Sequence, residues 1–255
     1  MKKIEVSSKP VITGFDQNHL PYVLTIIIPV YQRTLYLPHL LNSIAESFNI
    51  LNPSPVQTRP IQCIIMDDAG PEPATQWILK KIISGWSQIN QTLIHVFYHQ
   101  HKEYQGTSKN IEMGINLSSG KWILICHDDD LIDRHFFSSL YSLLLAKNNN
   151  ALILYDYIKQ PSLPVEFHTP DPLISQKNSP ITININKMEI ALPNLKKYFP
   201  RLTHTFLCQH LLSKSLKLTT GKITENQLSG LISFIQHKKY RVLSLTNPLV
   251  YYCGS

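Results

Sequence analysis

Apolar residues come in short, nearly unbroken runs at 23–29, 61–66, 93–98 and 122–126, each followed or preceded by a longer stretch of mixed character. Runs that are apolar at almost every position predict strands buried on both faces rather than strands with one wet side. Between them, 35–48, 74–86 and 107–117 have the length and spacing of helices. Strand and helix in alternation predict a mostly parallel sheet with helices on both faces, a Rossmann-like α/β layout whose sites lie at the carboxyl ends of the strands. A helix over 133–147 and a strand over 151–157 are predicted next. The pattern then loosens at 160–180, where Pro161, Pro164, Pro170, Pro172 and Pro180 predict an irregular loop. Helices near 187–199 and 225–237, a mixed segment at 203–212, and strands at 241–245 and 249–252 complete the reading.

The ends of the early apolar runs carry the chemistry. The first ends in Pro29-Val30-Tyr31-Gln32-Arg33 and the second in Met66-Asp67-Asp68-Ala69-Gly70. The third runs into Gln100-His101-Lys102, before Gly106-Thr107-Ser108-Lys109-Asn110 opens a helix. The fourth, Lys121 to Cys126, stops on His127-Asp128-Asp129-Asp130. Adjacent carboxylates repel and are buried together only with a cation among them. At a strand end of an open α/β sheet, a divalent ion carrying phosphate meets that need. One rim thus offers Arg33 and Lys109 as cations, Asp67 and Asp68 as hydrogen-bond acceptors, and Asp128–Asp130 as a metal grip. That inventory suits a nucleoside diphosphate.

Composition narrows the choice further. The chain has 255 residues, 43% hydrophobic and 16% charged, which is globular usage, and a formal net charge of +7 that favours anionic partners. Its Lys and Arg are scattered and not interleaved with aromatics, so nucleic acid is not an expected partner. Cys63, Cys126 and Cys208 sit in apolar runs and, like Cys253, lack zinc spacing; they are expected to be reduced. His95, His99 and His101 are expected as core or rim residues, and the three Trp as core. Neither G-x-G-x-x-G nor G-x-x-x-x-G-K-[ST] occurs, which removes dinucleotide and Walker-type readings. With no long apolar run, the protein is expected in the cytoplasm, with any membrane contact peripheral at the inner face.

The blocks TIIIPVYQR, CIIMDDAGPE, GTSKNIEMGINLSSGKWILICHDDD and ENQLSGLISFIQHKKYRVLSLTNPLVYY, in that order, resemble those of family-two glycosyltransferases. The resemblance covers 23–134 closely and 204–252 loosely. It implies a GT-A fold in one domain, 1–255. A nucleotide-sugar-binding half would span 21–134. An acceptor-binding half, 135–255, would be smaller in its sheet, mixed, and include the 160–180 loop. It implies an inverting transfer of sugar from a nucleotide diphosphate, UDP by expectation, to a glycan or lipid-linked saccharide, with Mn2+ or Mg2+ as cofactor. By resemblance, Pro29, Val30, Tyr31 and Arg33 cradle the nucleotide, Asp67 meets the base with Asp68 beside it, and Lys109 is the basic residue before Asn110. Asp128 sits near the ribose, Asp129 holds the metal, and Asp130 lines the side where acceptor and donor meet.

Two departures matter. The family's general base is the Asp of a Glu-Asp pair, and this chain has Glu225-Asn226. An Asn does not take a proton at neutral pH, so Glu225, Asp130 or a His (His204, His210) is left as the base. The alternative is a degenerate protein that binds nucleotide sugar or a partner without turnover. Glu225 also reads as part of a helix start, with Thr224 and Gln227 as a capping box. The second departure is Tyr251-Tyr252-Cys253, where relatives continue with a His that can touch the metal or diphosphate. A nucleotidyltransferase is disfavoured because 25–33 contains no Gly.

Overall fold

The structure is a computed structural model that describes residues 22–31, 35–53, 58–70, 75–145, 151–159, 181–183, 210–213 and 241–252, the last four segments as backbone. The helices expected at 187–199 and 225–237 lie outside the described residues, as do Arg33 and Glu225.

Four parallel strands form one side of the sheet: β1 (Leu24–Val30), β2 (Ile61–Asp67), β3 (Ile94–Gln100) and β4 (Trp122–Ile125). Their order is β3-β2-β1-β4. The chain builds outward from β1 through β2 to β3, then crosses to the far side of β1, so the topological switch point lies between β1 and β4. Every residue of β1, β2 and β4 is buried, as their unbroken apolar runs require, while β3 at the sheet edge alternates.

Both faces are covered. On one, Ile26 and Ile28 of β1 join Leu40, Leu41, Ile44 and Phe48 of α1 (Leu37–Ile50), Leu79 and Ile83 of α2 (Thr75–Ser84), and Phe136, Phe137, Leu140 and Leu144 of a helix at Phe136–Leu145. A short helix that the sequence pattern did not predict, α3 (Gln88–Leu93), capped by Ser87, precedes β3. On the other face Ile27, Ile64, Met66, Ile123 and Ile125 pack against Ile111 and Ile115 of α4 (Thr107–Leu117). That helix sits very close: a Cβ on Gly114 would stand 2.6 Å from Ile27 Cγ2. Below it, Gln62 Oε1 accepts from Thr25 Oγ1 (2.7 Å) and from Ser119 N (2.8 Å), fixing the turn into β4.

The rest of the sheet follows through β5 (Asp130–Ile132), β6 (Ala151–Lys159), β7 (Ile181–Ile183), β8 (His210–Ser213) and β9 (Arg241–Tyr252), with α5 (Phe136–Leu145) after β5. The order continues β4-β8-β6-β9-β5, with β7 also on β9. Strand β8 is antiparallel to both β4 and β6, and β9 is parallel to β6. The carboxyl ends of β6 and β9 therefore lie on the same rim as those of β1–β4. Strand β5 is antiparallel to β9, with Asp130 opposite Tyr252; it begins on that rim.

Two expectations are corrected. The two short terminal strands are one continuous β9, and the chain after the acidic run does not go straight into a helix. It first forms β5, three residues that exist as a strand because β9 pairs with them. Pairing here is mixed, as expected, although the five described strands outnumber the four of the parallel side. Among the described residues no helix is long and apolar enough to cross a membrane.

Candidate active site

The rim at the carboxyl ends of β2, β1 and β4 brings the acidic residues together. Val30 is level with Asp67 in the β1–β2 register, and Ile27 with Ile125 in the β1–β4 register, so the acidic turn 127–130 leaves β4 at the height of Pro29 and Val30. Pro29 is inside β1, not in the loop after it, and Tyr31 is the first residue outside the strand.

Asp67 and Asp68 are both buried but differently used. Asp67 Oδ1 accepts from Gly70 N at 3.0 Å, and Oδ2 accepts from the Tyr98 hydroxyl, with Gln100 Nε2 at 3.5 Å. Asp68 turns toward the β3–α4 loop. Its Oδ1 accepts from Gln105 N (2.7 Å) and its Oδ2 from Gly106 N (2.9 Å). Two backbone N–H groups on one carboxylate are charge-assisted bonds that hold the loop to the end of β2. Asn110, buried in the first turn of α4, donates to Met66 O (2.8 Å) and has its Oδ1 3.0 Å from His101 Nε2. The loop and α4 are thereby locked to the sheet. Lys109, beside Asn110, is exposed at the start of α4.

The acidic turn is buried: Asp128 is 1%, Asp129 7% and Asp130 1% exposed. It closes on itself, His127 N donating to Asp130 Oδ2 (3.1 Å) and Asp130 N donating to His127 O (3.1 Å). Two serines of α1 hold the segment beyond it, Ser43 Oγ accepting from Ile132 N (3.0 Å) and Ser47 Oγ from Phe137 N (3.2 Å). Buried carboxylates beside one another on a rim suit a hard cation, whose ligands are oxygens. Among the described residues no three carboxylate, imidazole or thiolate groups converge as a closed metal cage. The donor set thus fits an ion completed by phosphate and water.

His99 and His101 meet edge to face at 5.3 Å, and burial, then the charge of His101, lowers the pKa of His99. Cys63 and Cys126 are buried and not disulfide-bonded, and burial pushes the Cys63 thiol up to about 12.

Sequence reasoning passed over Tyr98, which bonds Asp67, Ser43 and Ser47, which hold the segment after the acidic turn, and Tyr104 on the β3–α4 loop. Tyr98 carried a usable signal, since it occupies a buried position of a strand that alternates, where a phenol needs a partner.

The model of glycosyl transferase family 2 matches residues 25–205. No curated protein matches the sequence. Among solved structures, S. aureus TarS residues 1–349 superposes with a TM-score of 0.58 at 16% identity, over 90% of this chain and 60% of that one. The same TarS fragment in complex with UDP-GlcNAc gives 0.57 at 14%, over 91% and 58%. The mannosyltransferase PcManGT from Pyrobaculum calidifontis, in complex with GDP-Man and Mn2+, gives 0.53 at 13%, over 96% and 60%. The likeness is one of fold, and the chain spans about 60% of the length of these proteins.

Proposed function

Because the chain belongs to glycosyl transferase family 2, we propose that it moves a sugar from a nucleotide diphosphate onto a glycan or lipid-linked saccharide, with inversion at the anomeric carbon. The observation that carries this reading is the buried acidic turn set level with Val30 and Asp67 at the switch point of the sheet. The two structural neighbours in complex with UDP-GlcNAc and with GDP-Man and Mn2+ support a nucleotide-sugar donor, and a UDP-sugar is the donor proposed here.

In this reading Pro29, Val30 and Tyr31 form the floor under the nucleotide and Asp67 takes the base. Asp68 serves through the loop it clasps, while Arg33 and Lys109 face the diphosphate. Asp128 meets the ribose, and Asp129 holds Mn2+ or Mg2+, which when bound supplies charge neutralisation to the diphosphate as it leaves. The base that takes the proton of the acceptor hydroxyl is Glu225 or Asp130, a contribution of about 10²–10⁴-fold. The proposal divides the labour between a donor half, 21–134, and an acceptor half, 135–255, that includes the 160–180 loop. Formal charge of +7 suits a protein that handles anionic donors and touches an anionic membrane face peripherally.

A panel of UDP-, GDP- and CMP-sugars with Mn2+ tests the reading by acceptor-dependent release of free nucleotide. Release from a UDP-sugar is expected. Nucleotide binding with no release across a broad acceptor panel would instead favour a binding protein without turnover, the reading that Asn226 motivates.

A further inference from the structure

Two aromatic rings stand open on the rim. Tyr31 leaves the end of β1 and Tyr104 lies in the loop between β3 and α4, with ring centroids 4.9 Å apart and planes tilted by 48°. Tyr31 is 42% and Tyr104 62% exposed, whereas Tyr98, which also meets the site, is 8%. A contact made only to bury ring surface leaves less of it wet.

Asp68 links the two segments that carry them. Asp68 N donates to the carbonyl of Val30 (3.0 Å), the residue before Tyr31. The Asp68 carboxylate accepts from Gln105 N and Gly106 N, directly after Tyr104. The loop's other end is tied by His101 N donating to Asp67 O at 2.9 Å. Gly106 leaves the loop at φ +82, a conformation that L side chains rarely adopt, and the position of a Cβ there would lie 4.0 Å from the Tyr104 hydroxyl. A short loop pinned at both ends thus presents an exposed phenol ring to the ring at the end of β1.

We propose that Tyr104 is a nucleobase-binding residue, forming with Tyr31 a bent aromatic corner on which the base of the donor stacks. The inference rests on the nucleotide-sugar reading above and adds to it a residue and a role. The two rings are already in contact, so the base lies on the open outer surface of the corner rather than between them. Stacking of this kind uses the π-face that every base has. Tyr104 therefore strengthens UDP and GDP alike and gives nothing to a diphosphate without a base.

Calorimetric titration with UDP, GDP and inorganic pyrophosphate, each with Mn2+, tests the proposal on the intact chain. Tyr104→Ala is expected to weaken UDP and GDP by about 5- to 100-fold and to leave pyrophosphate unchanged; Tyr104→Phe keeps wild-type affinity for all three. Tyr104→Leu, which retains apolar bulk without the ring, is expected to behave as Tyr104→Ala and guards against a loop that collapses. Equal UDP binding in wild type and Tyr104→Ala overturns the proposal and leaves the donor reading standing. So does a parallel loss of pyrophosphate, which marks a structural role. Wild type that binds none of the three removes both.

Discussion

Asp68 is the clearest case of a side chain whose position in the sequence and use in the structure differ. Its place at a strand end marks it as a nucleotide contact, yet both its oxygens are engaged by the N–H groups of Gln105 and Gly106. Asp68→Asn keeps the shape but offers one acceptor oxygen in place of two. The amides of residues 105 and 106 are expected to exchange hydrogen faster in that variant, with little change in the amides of β1; unchanged exchange would refute the clasp. Asp67, the neighbouring acid, was legible as an acid at a strand end, but its dependence on the Tyr98 hydroxyl was not, because that bond joins β2 to the adjacent strand. Glu225→Gln tests the base: sugar transfer is expected to fall by about 10²-fold or more with UDP affinity retained, and wild-type rates would move the base elsewhere. His95 gives a pH test of a different kind. Its Nδ1 is 2.9 Å from the Tyr22 hydroxyl and its Nε2 3.0 Å from Thr92 O, an arrangement that suits the neutral ring. Burial lowers its pKa from 6.5, opposed by the Thr92 carbonyl, and burial does the same for His99. The unfolded chain then takes up the proton first as pH falls, so the stability due to a neutral His95 is full above 6.5 and drains below it. Melting temperature should drop between about pH 7.5 and 5.5, with a shallower slope in His95→Gln.

At the scale of elements, close approach of α4 to the sheet places the loop and its acidic anchors. A Cβ on Gly114 would stand 2.6 Å from Ile27 Cγ2 and 3.1 Å from Met66 Cγ, both core atoms. Gly114→Ala must lift the helix or displace Ile27, and is expected to cost about 1–3 kcal/mol, measured as a fall in the urea midpoint; an unchanged midpoint would mean that α4 has room to shift. The strands and helices of the first half were readable because each carries its own pattern: an unbroken apolar run for β1, β2 and β4, and helical spacing for α1 and α4. Strand β5 was not readable. Asp130, Leu131 and Ile132 become a strand by pairing with Tyr252, Tyr251 and Val250, and no local pattern reports a partner so distant. The split expected in β9 had a local cause as well, since Asn247-Pro248 reads as a turn, while the structure keeps the strand continuous with a register shift in its pairing to β6 at Asp156.

At the scale of the whole molecule, the described strands form one sheet that carries both the donor-side strands and the strands expected to serve the acceptor, joined where β4 meets β8. Continuous pairing of that kind favours cooperative unfolding, so circular dichroism and Trp fluorescence should report a single coincident transition. The carboxyl ends of six parallel-running strands and the start of β5 share one rim, and the acidic turn stands level there with Val30 and Asp67. Sequence pattern placed these groups because they sit at ends of strands that are themselves legible. It did not reach Tyr104 or the serines of α1, whose roles depend on contacts across elements. The most direct measurement is titration of UDP into wild type and Asp129→Ala, with and without Mn2+. Binding that needs Mn2+ and weakens by about tenfold or more in the variant is expected; Mn2+-independent binding of equal strength in both would contradict a diphosphate held through a cation on the acidic turn.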